Sequence, residues 1–132
     1  MNNLGSFIKF FIAVGASIVT YLFGGFDSLL LVFTAMVVID YVTGLLASGV
    51  EGKLSSKIGF KGIAKKIMIF ALIAIAHFID QFVGNTHLIR DATIFFYMAN
   101  EILSTIENAG RMGLPIPTFL RNAVTMLRNK SK

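Results

Sequence analysis

Residues 28–50 read SLLLVFTAMVVIDYVTGLLASGV, twenty-three residues with one ionisable side chain, Asp40. A helix of about 20 apolar residues crosses the hydrocarbon layer of a bilayer, so this stretch predicts a transmembrane span. Three further runs flank it. Residues 10–26 hold no charge between Lys9 and Asp27 and predict a first span. Residues 67–83 predict a third, apolar up to Ala76 and then carrying His77, Asp80 and Gln81. Residues 92–109 predict a fourth and most polar one, with Glu101 and Glu107 inside it. The cluster Gly24-Gly25-Phe26-Asp27-Ser28 predicts a tight turn that makes the first two runs a helical hairpin. A cleavable signal peptide is the competing reading of the N-terminus, but its basic region would hold only Lys9 and no small-residue cleavage site stands clear.

The expected fold is therefore an all-α membrane protein. It is a single domain over 1–132 with a bundle of about four transmembrane helices, or three if the first run lies on the membrane surface. Composition agrees: 55% of the 132 residues are hydrophobic, only 14% are charged, and the mean hydropathy is +0.76. A water-soluble domain of this size needs far more polar surface. With no cysteine and two histidines, thiolate zinc sites, iron–sulfur clusters and disulfide scaffolds are excluded, and no metal or cofactor is expected. The net charge of +5 lies between apolar runs rather than on a soluble scaffold, so a nucleic-acid partner is not expected.

The lysines and arginines instead set orientation. With the N-terminus inside, eleven basic residues face the cytoplasm and Arg90 alone faces out, so both termini are expected to be cytoplasmic. Much of that charge sits in a basic loop over 51–66, where Lys57, Lys61 and Lys65 follow one another at i, i+4, i+8 beside Lys53 and Lys66. These residues are expected at anionic lipid headgroups. After the fourth run, two glycines and two prolines in GRMGLPIP (110–117) break the helix. From Thr118 a short amphipathic helix, 118–132, sets Phe119, Leu120, Ala123, Val124, Met126 and Leu127 opposite Arg121, Arg128 and Lys130. It reads as a packing helix or as one lying on the inner leaflet.

The fourth run carries its polar residues in one line at steps of three or four: Thr93, Tyr97, Asn100 with Glu101, Ser104, Glu107 with Asn108, then Arg111. Such a face cannot meet lipid, where each central carboxylate costs on the order of 2.5–3.5 kcal/mol. Glu101 and Asp40 both fall near mid-membrane, roughly 14 and 18 Å along their runs, and no lysine or arginine occurs at comparable depth within a run. Two readings stay open for this set, which also takes in Thr43, Gly44 and His77: hydrogen bonding inside a tight bundle, or the lining of a hydrated path. Glu107 and Arg111 are expected to pair at i, i+4, and Asp80 with Arg90 across the outer turn. Small residues at i, i+4 mark candidate close helix contacts at Ala13 and Ser17, Thr43 and Ala47, and Gly44 and Ser48. No phosphate loop or hydrolase motif occurs, so no enzymatic activity is expected.

Three segments carry a resemblance: DYVTG (40–44), GFKGIAKK (59–66) and RDATIFFYMANEILSTIENAG (90–110). Over about residues 27–117 the chain resembles the phage lysis and toxin-secretion holin family. The resemblance implies a small membrane protein that forms homo-oligomers in the bacterial cytoplasmic membrane and opens lesions. A muralytic endolysin, or in some clostridia a large toxin, leaves through them. The alternatives are a small ion channel or exporter that uses Asp40 and Glu101, and a structural membrane subunit.

Overall fold

The structure, a computed structural model, describes residues 3–84 and 86–130. It has five helices: α1 Asn3–Phe23, α2 Ser28–Val50, α3 Ser56–Val83, α4 Leu88–Arg111 and α5 Thr118–Lys130. There is no strand among the described residues. Helices α1 to α3 are long and apolar enough to cross a membrane. Helix α4 falls outside that set, because the polar stripe that distinguishes it also lowers its hydropathy.

Each boundary has a local cause. Asp27 caps α2 by accepting the Leu30 N–H at 3.0 Å, and Ser55 caps α3 by accepting that of Ile58 at 3.2 Å. Helices α2 and α4 end in the same way. The Lys53 N–H returns to Ser48 O at 2.8 Å and the Leu114 N–H to Ala109 O at 3.1 Å. In each case a glycine with positive φ, Gly52 or Gly113, makes the left-handed turn. The expected loop at 51–66 is thus mostly helix, because the Ser55 cap starts α3 ten residues before Lys66. Likewise α1 begins at Asn3 rather than near residue 10.

Helix α4 is the central element and packs on both α2 and α3, whereas α1 touches α3 and α5 touches α4. None of the α1 residues is buried. Its last turns reach α3 through Tyr21 on Phe78 and Phe23 on Phe70. The apolar core is Leu30, Phe33 and Val37 of α2, Ile73 of α3 and Ile94 of α4, with Phe70 edge-on to Phe33. Among the described residues the buried set holds nine hydrophobic side chains and seven polar or charged ones, while phenylalanines, isoleucines and valines cover the outside. That distribution inverts a water-soluble protein and is the one expected in lipid, where ionisable groups face the bundle interior.

Candidate functional site

The inward face of α4 carries Arg90, Ile94, Glu101 and Asn108. At its middle, Lys66 of α3 places its ammonium between two carboxylates. It donates to both oxygens of Glu101, at 2.9 and 2.7 Å, and to Asp40 of α2. The Asp40 and Glu101 side chains are 6% and 3% exposed, and that of Lys66 is 19% exposed. The two carboxylates therefore do have a counter-ion, contrary to the sequence expectation. Lys66 does not point to the headgroups with Lys65, because one residue further along turns a helix by about 100°. Its four-carbon stem then carries the charge inward. Two carboxylates share one ammonium, so the triad holds one negative charge in excess when both are ionised.

Toward the end of the bundle that carries Arg111, the polar chain continues. Asn108 Nδ2 donates to Asp40 Oδ1 at 3.0 Å, to the Asp40 carbonyl at 3.1 Å and to Thr43 Oγ1 at 3.0 Å. Arg111 donates to Asn108 Oδ1, Ser48 Oγ and, at 2.8 Å, Glu51. Arg111 was expected to pair with Glu107; its guanidinium pairs with Glu51, in the turn after α2, and Glu107 is an exposed residue of α4. The Arg111 hydrogen bond holds the Glu51 carboxyl below the usual carboxylate range. Gly44 lets α4 approach, since a Cβ there would lie 3.5 Å from Asn108 Nδ2. Gly44→Ala should therefore be tolerated, whereas Gly44→Leu should overpack the α2–α4 contact and cost about 1–3 kcal/mol. Thermal unfolding of the purified protein in detergent reads the difference.

The opposite end is held by Arg90, which is fully buried. Its guanidinium pairs with both oxygens of Asp27 at 3.0 Å and with Asp91 at 2.8 Å. It also donates to the carbonyls of Phe23 and Gly25, at 2.5 and 3.3 Å. One side chain thereby satisfies the C-terminus of α1, the cap of α2 and the first turn of α4. The Arg90 hydrogen bond holds the Asp27 carboxyl below its ordinary range. Asp80 meets Arg90 as expected, but through the backbone: its carboxylate accepts the N–H groups of Ile89 and Arg90 at 2.9 and 2.8 Å. This replaces the cap that His87 does not supply. His77 is buried nearby, its ring centroid 6.1 Å from that of His87.

The structure thus gathers Asp40, Thr43, Gly44, Glu101, Ser104 and Asn108 with Lys66 at one site, and His77 with Asp80 at another. The apolar core lies between them. Tyr97 packs half-buried against that core, and Asn100 is half-buried. Lys53, Lys57, Lys61, Lys65 and Arg121 are exposed. The side chains of Arg128 and Lys130 and the last two residues lie outside the described set. Ala47 and Ser48 are buried at a helix contact, whereas Ala13 and Ser17 are exposed. Sequence reasoning missed Lys66 as counter-ion, Arg90 as a buried clamp, and Ser48 and Glu51 as partners of Arg111. A cavity of about 200 Å³ reaches the triad, lined by Asp40, Tyr41, Gly44, Ser48, Lys66, Ser104, Asn108 and Arg111 among others.

The chain is similar over nearly its whole length to several uncharacterized bacterial proteins. An uncharacterized protein of Listeria monocytogenes is 52% identical over 124 residues, covering 94% of this chain and 89% of that protein. One of Halalkalibacterium halodurans is 44% identical over 92% of this chain and 93% of its own length. An uncharacterized 14.9 kDa protein of Clostridium perfringens, from the nagH 3' region, is 34% identical over 98% of this chain and 99% of its own length. No solved structure matches the chain. The sequence profile of the bacteriophage holin family matches residues 17–129, nearly the whole of the bundle. The chain, a membrane protein by its apolar helices, belongs to the bacteriophage holin family.

Proposed function

We propose that this chain is a holin that accumulates in the bacterial cytoplasmic membrane as a closed unit and then assembles into lesions. An endolysin, or in a toxin-secreting host a large toxin, leaves through them. In this reading α1 to α4 all cross the bilayer. Both termini and the turn after α2 are cytoplasmic, with Lys53, Lys57, Lys61, Lys65 and Arg121 at the headgroups. The observation that carries the reading is the ionic cluster of Asp40, Lys66, Glu101 and Asn108, buried and hydrogen-bonded within one chain.

While α2, α3 and α4 stay packed, those groups are satisfied and the outside is apolar, so a single chain is a passive solute of the membrane. Parting α2 from α4 removes the partners. The exposed charges then need water, which one chain in lipid cannot supply but a ring of copies with a common lumen can. Association rises with protein density, so opening follows accumulation.

Orientation is tested first. Cysteines at Ser56 and Thr86 should respectively resist and accept an impermeant thiol reagent in intact cells before any lysis. Function is tested by induced expression with a cytoplasmic endolysin. We expect a period of normal growth and then abrupt release of the enzyme. Leakage restricted to small ions at every expression level would replace this reading with the channel alternative.

A further inference from the structure

The residues that line the cavity beside the triad run from buried ones at the triad to exposed ones toward the Arg111 end of the bundle. Its outer lining is Ile58, which is 40% exposed, and Arg111, whose side chain is 38% exposed. Its deep wall is Asp40, Asn108 and Lys66. Beyond that wall the packed side chains of Phe33, Val37, Ile73 and Ile94 separate the triad from the Arg90 end. A space of about 200 Å³ has room for on the order of six waters at about 30 Å³ each, and its wall offers the polar partners that buried water requires. Two members of the triad line it, Asp40 and Lys66, and Lys66 is the more exposed of them.

The charge count gives this space a task. Two carboxylates and one ammonium leave one negative charge deep in the bundle, and an uncompensated charge there is costly. The ion best able to remove it without new space is a proton, which passes from a hydronium in the cavity to a carboxylate oxygen of Asp40 or Glu101 and leaves a neutral triad. The groups that meet the pair are Lys66 from α3 and Asn108 and Ser104 from α4; Arg111 and Tyr41 line the same cavity, Arg111 paired with Glu51 and the Tyr41 hydroxyl donating to the Gly59 carbonyl. Helix α1 packs on α3 toward the other end, at Phe70 and Phe78.

We propose that the cavity is a one-sided aqueous vestibule and that the Asp40–Glu101 pair is a binding site for one proton, loaded from the Arg111 end. This site goes beyond lesion formation and exists in the closed unit. Its test uses intact membranes before permeabilisation, so it succeeds or fails independently of lysis.

The chain has no cysteine, so Ser104→Cys and, as a second probe, Ser48→Cys report access without background. Full-length protein is assayed in right-side-out and inverted membrane vesicles, with Ser56→Cys marking which face is outermost. A small cationic methanethiosulfonate should modify position 104 or 48 at least tenfold faster from the face that exposes position 56. Ile94→Cys should stay unreactive from both. In the same inverted vesicles, lowering the bath pH should raise a carboxylic-acid carbonyl band in the infrared spectrum, and Asp40→Asn with Glu101→Gln should remove it. Equal reaction from both faces, reaction from neither, or a band absent at every pH would overturn the proposal.

Discussion

Lys66→Met should destabilise the closed bundle by about 3–5 kcal/mol, the cost of leaving buried charges without their partner. Methionine keeps the stem and its packing but removes the ammonium that bonds both Glu101 and Asp40. The expected result is a lower unfolding temperature in detergent, with earlier permeabilisation at matched protein level, since the packed α2–α4 interface has lost stability. Adding Asp40→Asn and Glu101→Gln to Lys66→Met should restore most of the loss, because neutral amides bury at far lower cost and still hydrogen-bond. Glu101→Gln alone leaves a one-to-one Lys66–Asp40 pair and should delay opening. Parental behaviour of Lys66→Met would remove the triad from the account.

Arg90→Met should have a comparable effect through a different contact set. The substitution strips donors from Asp27, Asp91 and the carbonyls of Phe23 and Gly25 at once, and leaves the C-terminal end of α1 held by its ring contacts with α3. We expect a loss of about 3–5 kcal/mol in detergent unfolding. Arg90→Lys should recover only part of it, because a single ammonium cannot reproduce the planar fork that serves Asp27 in two-pronged fashion. Asp27 is held below its ordinary carboxylate range. Its contribution to this clamp is therefore complete at neutral pH and is lost only as pH falls through the depressed value. Full recovery in the lysine variant would show that Arg90 acts as a point charge alone.

The legible parts of the sequence were those set by local pattern. The run at 28–50 coincides with α2, the glycine and proline cluster at 110–117 ends α4, and the helix after it starts at Thr118. Of the polar line read along α4, Glu101 and Asn108 are buried, Thr93, Tyr97, Asn100 and Ser104 are half-buried, and Glu107 is exposed. What escaped depends on direction around a helix axis and on contacts between distant segments. Lys66 directly precedes an apolar run and reads as the last residue of a loop, yet it is the third-turn residue of α3 and points inward. One signal was present: Lys57, Lys61 and Lys65 share a face, and Lys66 is out of phase with it. Arg90 likewise reads as a turn charge. Its burial follows from three helix ends that converge on it, those of α1, α2 and α4, which no single segment announces.

In the proposed function, lesions open by parting α2 from α4. A Cβ at Gly44 would lie 4.0 Å from Asn108 Cγ, so cysteines at positions 44 and 108 face each other across that contact. The double variant is expressed with a cytoplasmic endolysin, the pair is closed by a mild oxidant or a short thiol-specific linker, and enzyme release is followed with and without reductant. The closed chain is expected to insert and accumulate without releasing endolysin, and reductant is expected to start release within the same culture. Release on the same schedule from the closed and the reduced chain would contradict it.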